Sequence, residues 1–268
     1  MLEEATVLKL DGKCDFISGN YPDALEKAKE VTNKEKNLRK QRENANMADL
    51  INVDLSFAVS LNHALCLEAN GMLQEAITKY QEITKGKQYQ FAGRIRVNMG
   101  NIYYNQQKYT HAIKMYQMAL DILPSTSKEM RFKVTKNIGH AYVKLGDYSN
   151  AINSYEHVLK GTPDHQTAYN LIICLYRTGD KLRMKDCFTS MITNSAEDES
   201  QEDDDGDVIR NNDRLKEEMK TRRKEEIRMI INSAKLIAPA IENDIVDAYD
   251  WILEKLKTSS YPEVESEI

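Results

Sequence analysis

A chain of 268 residues can form one extended domain or two compact ones, with enough apolar material for a core. Only 11 glycines and 5 prolines are present, and folds built from strands need many tight turns, so the composition favours helices. The net charge of −5 provides no general footprint for nucleic acid, and no stretch approaches the length of a membrane-inserted segment.

The first predicted domain is an N-terminal helical hairpin over residues 1–45. Residues 19–43 predict a long charged helix, and Pro22 falls in its first turn, where a missing N–H is tolerated. Tyr21 and Ala24 match the second half of a repeat found further along the chain. The first thirty residues lack a continuous apolar run, so a secretory signal is not expected.

Residues 46–192 are predicted to hold four copies of one pattern of about 34 residues. Two copies, starting at Gly93 and Phe132, match best; those starting at Phe57 and His165 match in part. The shared positions carry Gly100, Tyr103, Ala112, Tyr116, Ala119 and Pro124 in one copy, and Gly139, Tyr142, Ala151, Tyr155 and Pro163 in the next. The pattern resembles the tetratricopeptide repeat, a helix–turn–helix unit, and predicts an all-α superhelical solenoid (a TPR solenoid).

The small residues of this pattern have a packing explanation. Glycine at position 8 and alanine at position 20 are expected to face each other, so that the two helices of a pair lie close together. Tyrosines at positions 11 and 24 are expected to fill the space on either side, and proline at position 32 to stop the second helix. These residues therefore make room for a neighbouring helix and not for a ligand.

Residues 193–212 are predicted to be an acidic disordered linker. They hold eight acids and one arginine, a net of −7, so the rest of the chain carries +2. Such a composition cannot bury enough apolar surface to fold alone. The run DDDGD at 203–207 suggests a calcium loop, but the carboxylates needed at the first and last loop positions are missing.

Residues 213–268 are predicted to be helices that begin a further repeat block. The first runs over 213–237 and is expected to end before Pro239. A second is expected from about Glu242 to Lys257.

No constellation of side chains predicts catalysis, a cofactor, a metal or a small-molecule substrate. The five histidines do not stand at metal-ligand spacing, and no phosphate-binding or dinucleotide motif is found. Four widely spaced cysteines, Cys14, Cys66, Cys174 and Cys187, predict reduced thiols of a cytosolic protein. The sequence therefore predicts a protein that is not an enzyme.

A polar stripe on the first helix of each repeat is the predicted partner-binding surface. Positions 2, 6, 9 and 13 share one helical face. They carry Asn62 in the first copy, Arg94, Asn98, Asn101 and Asn105 in the second, Lys133, Asn137, His140 and Lys144 in the third, and Asn170 in the fourth. Amides can pair with the backbone of an extended peptide, and the basic residues would favour acidic side chains. The alternative is that these asparagines simply face water.

A clamp for a C-terminal carboxylate, as found in chaperone-binding tetratricopeptide proteins, is disfavoured. Of the five positions that form such a clamp, only Asn101 and Asn137 match, and every required cation is absent.

Several stretches resemble the polaris family, tetratricopeptide subunits of the intraflagellar transport B complex. They are ALEKAKEVTNKEKNLRKQRE, VNMGNIYYNQQKYTHAIKMYQMALD, NIGHAYVKLGDYSNAINSYEHVL and NSAKLIAPAIE with YDW. The resemblance covers nearly all of 15–257, including an extra turn, PSTSKEMRF, at 124–132. Family members are longer, so this chain is expected to be an N-proximal fragment.

The resemblance implies a non-enzymatic core subunit of the particle that moves along the ciliary axoneme and is needed for cilium assembly. Its implied partners are other core subunits of that complex, with no nucleic acid and no membrane insertion. Its implied locations are the cytoplasm, the cilium, the ciliary base and the basal body. The main alternative is a cytosolic tetratricopeptide adaptor or cochaperone outside cilia; a regulatory subunit of an enzyme is a third class.

Overall fold

A computed structural model describes residues 16–85, 91–193, 212–261, 264 and 267. All regular secondary structure in these residues is helical, which confirms the predicted all-α class. The first fifteen residues of the predicted hairpin lie outside the described residues. Of the predicted linker, only its end residues, 193 and 212, are described. None of the described helices combines the length and apolar character needed to cross a bilayer.

The chain divides into two units, Met1–Pro124 and Ser125–Ile268. The first unit contains α1 (Tyr21–Asn44), α2 (Val53–Ala69), α3 (Leu73–Thr84), α4 (Ala92–Asn105) and α5 (Tyr109–Ile122), with a short 3-10 helix at Ala48–Leu50. The second contains α6 (Lys128–Leu145), α7 (Tyr148–Leu159), α8 (His165–Thr178), α9 (Lys181–Thr193), α10 (Asn212–Ile241) and α11 (Ile245–Lys257).

In the first unit each helix packs against its neighbours in sequence, the nearest-neighbour arrangement of a solenoid. Fully buried side chains recur along the helices and form one core; they include Ala24, Ala64, Leu67, Ala76, Tyr80, Ile95 and Ile102. Only the first part of α1 joins this core, because its buried apolar positions stop at Val31 and a stretch rich in charged residues follows.

In the second unit α10 takes the place of the first helix of a further pair. It packs against α8 as well as α9, and α11 then packs against α10. The contact face of α10 is apolar and carries Ile230, Ala234, Ile237, Ala238 and Ile241, all buried. The helix pairs of this unit therefore continue on both sides of the undescribed segment 194–211.

Side-chain caps and left-handed glycines fix the helix ends. Asn52, Asp147 and Asp164 accept hydrogen bonds from backbone N–H groups at the starts of α2, α7 and α8. Gly146 and Gly179 end α6 and α8 with φ of 77° and 74°, a conformation that favours glycine.

The predicted end of the helix before Pro239 is wrong, because α10 continues through this proline to Ile241. Proline removes one backbone hydrogen bond and crowds the preceding turn. Pro239 itself is exposed, whereas Ile237, Ala238 and Ile241 are buried. Burial of these three side chains therefore holds the last turn in place.

Two further boundaries differ from the sequence predictions. The helix α6 starts at Lys128, inside the predicted extra turn at 124–132. The helix α11 starts at Ile245 and not near Glu242, because the Asp244 side chain accepts a hydrogen bond from the Val246 N–H and caps the helix there.

Candidate partner-binding stripes

Two glycines determine how closely the helices of a pair approach. A Cβ atom at Gly100 would lie 2.4 Å from Cε1 of Tyr116, and one at Gly139 would lie 2.6 Å from Cε1 of Tyr155. The tyrosine at position 24 therefore fills the space over the glycine. The sequence analysis had placed the alanine of position 20 there.

The other repeat positions support the same packing. Three alanines, Ala112, Ala119 and Ala151, are completely buried. Tyr103 and Tyr142 are half-buried, and the exposed Pro124 and Pro163 follow the ends of α5 and α7. The hydroxyls of two position-24 tyrosines, Tyr80 and Tyr116, reach the first helices, where the stripe residues lie.

The first stripe consists of the predicted residues of the first unit, Asn62, Arg94, Asn98, Asn101 and Asn105. The hydroxyl of Tyr116 donates to Asn101 Oδ1 at 2.8 Å, and Asn98 Nδ2 lies 3.5 Å from the Tyr80 hydroxyl. Both asparagines are half-buried. Asn101 therefore holds the Tyr116 hydroxyl, whereas Asn98 makes only a long contact with Tyr80. The sequence analysis predicted neither contact.

Tyr80 continues this network away from the stripe. Its hydroxyl donates to Glu68 Oε2 at 2.8 Å. Burial and the Glu68 bond raise the pKa of Tyr80, and burial raises the pKa of Tyr116 to about 12. Both phenols are therefore neutral donors at physiological pH.

The remaining members of the first stripe are more open. Asn62 is half-buried, and no polar partner for its side chain is found within the described residues. Arg94 is exposed, with its guanidinium carbon 6.0 Å from the centre of the Phe91 ring, and Asn105 is exposed. The first stripe thus combines amide side chains with one exposed cation.

The second stripe consists of the predicted residues of the second unit, Lys133, Asn137, His140, Lys144 and Asn170. Asn170 Nδ2 lies 3.2 Å from His140 Nε2, and burial, followed by the charge of Lys136, lowers the pKa of His140. The neutral ring accepts from the amide, so its proton sits on Nδ1.

The other three residues of the second stripe differ in exposure. Asn137 is half-buried, and Lys133 and Lys144 are exposed. Lys133 Nζ lies 2.6 Å from Glu129 Oε1 on the same helix. Such a solvent-exposed pair is weak.

An ion pair beside the second stripe was missed by the sequence analysis. Lys136 Nζ lies 2.7 Å from Asp164 Oδ2, and Asp164 also accepts from the N–H groups of Gln166 and Thr167 at the start of α8. The aspartate before a helix was a visible cap signal. The partner on another helix was not visible, because nothing in the repeat spacing links 136 to 164.

The metal-binding residue types and the cysteines are the other side chains on which the sequence analysis made predictions. No group of three or more histidines, cysteines, aspartates or glutamates is placed to hold a metal there. Cys66, Cys174 and Cys187 are free thiols. Cys14 and the run at 203–207 lie outside the described part of the chain.

Comparison with known proteins agrees with the repeat pattern. Residues 91–164 match the tetratricopeptide repeat family. The chain is also 40% identical over 259 residues to the human protein "Intraflagellar transport protein 88 homolog", which confirms the resemblance seen in the sequence. The match covers 93% of this chain and 31% of that relative, so the chain spans about a third of its length.

Solved structures share the fold at low identity. The C-terminal part of a TPR repeat-containing protein from Cytophaga hutchinsonii aligns with a TM-score of 0.56 and 17% identity, over 93% of this chain and 79% of that one. MamA from Desulfovibrio magneticus aligns with a TM-score of 0.53 and 16% identity, over 69% of this chain and 92% of that one. These similarities support the predicted tetratricopeptide fold.

Proposed function

We propose that this chain is part of a non-enzymatic scaffold subunit of the intraflagellar transport B particle, required for cilium assembly. The observation that carries the proposal is the 40% identity to the human intraflagellar transport relative over 93% of the chain. The subunit works in the cytoplasm, at the ciliary base and basal body, and in the cilium. Its partners are other core subunits of the particle.

The two stripes are proposed to contact those partners. A side-chain amide has two N–H donors and two lone pairs on its oxygen. Asn98 uses one N–H in a long 3.5 Å contact with the Tyr80 hydroxyl, so its other N–H and its oxygen remain for a peptide backbone. Arg94, Lys133 and Lys144 are exposed and add a preference for acidic side chains.

The proposed domain organisation follows the repeat pattern. Residues 1–45 form the N-terminal hairpin, 46–192 the four repeats, 193–212 the acidic linker and 213–268 the start of a further block. Support comes from α10, which packs against α8 and α9 as a first helix would.

Affinity purification of the tagged chain from ciliated cells, with mass spectrometry of the recovered proteins, tests the function. The expected result is enrichment of intraflagellar transport B subunits over a purification with an unrelated tetratricopeptide protein. Recovery of chaperones alone would instead favour a cochaperone. Full-length protein that also recovers no such subunit would refute the scaffold proposal.

Single substitutions test the stripes. Asn98→Ala in the first unit and Asn137→Ala in the second, separately and together, are expected to weaken partner recovery without changing thermal unfolding. Asn153→Ala is the matched control, because Asn153 is exposed on α7 and lies outside both stripes. Normal recovery of every partner by the double variant would eliminate the stripes as a binding surface.

A further inference from the structure

A cleft opens in the second unit between α7 and α9, the second helices of two successive pairs, with α8 as its floor. Its volume is about 500 Å³, within the range of roughly 300–1,000 Å³ of pockets that enclose ligand-sized groups. None of the residues that line it belongs to the second stripe. This α7–α9 cleft is therefore a separate surface from the proposed stripes.

The floor of the cleft is apolar and two helical turns long. Ala168, Leu171 and Leu175 face it from α8, and their spacing of three and four residues places them on one helical face. They span about 10 Å at 1.5 Å per residue. Each lines the cleft and is at most 5% exposed, so the floor is deeper than the exposed residues of the rim.

The walls are also largely apolar near the floor. Leu159 lines the α7 side, and Met191 and Cys187 line the α9 side. The Cys187 thiol donates to the Ala168 carbonyl oxygen at 3.7 Å, and burial raises its pKa to about 12. The thiol is therefore uncharged at neutral pH and acts as part of an apolar wall.

Most charged groups around the cleft are already paired within the unit. Glu156 on α7 forms an ion pair with Arg183 on α9. Asp164 is paired with Lys136, as described above, and His165 Nε2 lies 3.1 Å from the Tyr261 hydroxyl. These four lining groups leave little charge for a partner.

Two opposite charges remain on opposite sides of the cleft. Lys160 follows α7 and Asp186 lies on α9, and both line the cleft and are exposed. Neither side chain has an ion pair or a hydrogen bond within the described part of the chain. Among the lining charges that have no ion pair, the α7 side is therefore positive and the α9 side negative.

We propose that the α7–α9 cleft binds an amphipathic helix of a partner protein, whose apolar side chains enter the cleft along the α8 floor, with an acid facing Lys160 and a base facing Asp186. A helix buries anchors at positions i, i+3 and i+7 in such a groove, and these anchors cover the same two turns as the floor residues. A free apolar molecule would use the floor but leave both rim charges unpaired. The proposal goes beyond the scaffold function and does not depend on the stripes.

Two synthetic helical peptides of about 18 residues test the proposal. Both carry leucines at i, i+3, i+4 and i+7; one has glutamates on one flank and lysines on the other, and the second has glutamates on both flanks. Fluorescence anisotropy at low salt measures their Kd values for the whole chain. A bound helix can run in either direction along the floor, which would exchange its two flanks. The two peptides therefore differ in the total charge of the flanks and not in the order of the flanks.

The unaltered chain is expected to bind the mixed-charge peptide about fivefold more tightly, as one exposed charge pair exchanged for a repulsive one predicts. Asp186→Lys is expected to invert this preference. The matched control is Asp250→Lys, which changes the net charge by the same amount at an exposed acid on α11 outside the cleft lining, and it should leave the preference unchanged.

Hydrogen exchange locates the bound peptide. Protection is expected within residues 156–191, which include the residues that line the cleft. The proposal is overturned if neither peptide binds, if protection falls elsewhere, or if the preference is the same in the Asp186→Lys variant. The last result would mean that the cleft binds apolar ligands without discriminating between their charges.

Discussion

Replacing Gly100 with alanine tests the packing on which the fold depends. In an ordinary helix, glycine to alanine stabilises by about 0.5–1 kcal/mol. At this position the added Cβ would lie 2.4 Å from Cε1 and 2.6 Å from Cδ1 of Tyr116. The ring must therefore move by about 1 Å to restore an ordinary contact.

The ring has little freedom to move. Tyr116 is 2% exposed, and its hydroxyl is held by Asn101 at 2.8 Å. Overpacking of a core costs about 1–3 kcal/mol, and a strained hydrogen bond adds about 1 kcal/mol. After subtracting the gain in helix propensity, Gly100→Ala is expected to destabilise by about 1–3 kcal/mol, and Gly100→Leu by more.

Urea unfolding measures the change in the free energy of unfolding, and hydrogen exchange over α4 and α5 shows whether the destabilisation arises in this helix pair. Gly93→Ala is the graded control: its Cβ would lie 2.9 Å from Leu123 side-chain atoms, and an aliphatic side chain adjusts more easily than a tethered ring. Tyr116→Leu should relieve the clash, so that the double variant is less destabilised than the sum of the single ones by about 1 kcal/mol. Stabilisation by Gly100→Ala, or strict additivity, would refute this packing.

Three further predictions concern polar groups. Burial, then the charges of nearby lysines, lowers the pKa of His63 to about 4. Because the pKa in the unfolded chain is about 6.5, the unfolded state binds this proton first, and up to about 3 kcal/mol of stability is lost as pH falls from 6.5 to 4. The urea unfolding midpoint of His63→Gln should therefore depend less on pH over this range than that of the unaltered chain. Asn101→Ala leaves the buried Tyr116 hydroxyl unpaired and should cost about 1–3 kcal/mol in urea unfolding, against less than about 0.5 kcal/mol for the exposed Asn105→Ala. Asp164→Ala removes the cap of α8 and the ion pair with Lys136 on α6. It should cost about 1–2 kcal/mol, with faster hydrogen exchange in the first turn of α8, and Lys136→Ala, which removes the ion pair alone, should cost less.

The helical class and much of the helix pattern could be predicted because repeat spacing records the contacts between neighbouring helices. Gly100 and Gly139 recur at one position since a tyrosine ring occupies the same space in both pairs. Spacing alone could not show that the ring, and not Ala112, fills that space. Both residues lie on the next helix, and only their directions in three dimensions distinguish them.

Boundaries failed where burial opposed a local signal. Proline is a helix breaker in the local rules, yet Pro239 lies within α10 because apolar side chains around it are buried against α8 and α9. The helices that bury these side chains, α8 and α9, precede α10 in the chain and are separated from it by the undescribed segment 194–211. No local pattern could therefore weigh that burial against the proline.

The polar stripes show a different limit, since one residue type has two roles along a single face. Asn101 accepts a 2.8 Å bond from a buried phenol, whereas Asn98 lies 3.5 Å from another. A partner that captured the Asn101 oxygen would have to leave Tyr116 unpaired, at a cost of about 1–3 kcal/mol. Capture of Asn98 would cost far less, because Tyr80 keeps its bond to Glu68. Asn98 is therefore the amide best able to exchange an internal contact for a partner, and loss of binding on Asn98→Ala, with stability unchanged, would distinguish recognition from simple support of the fold.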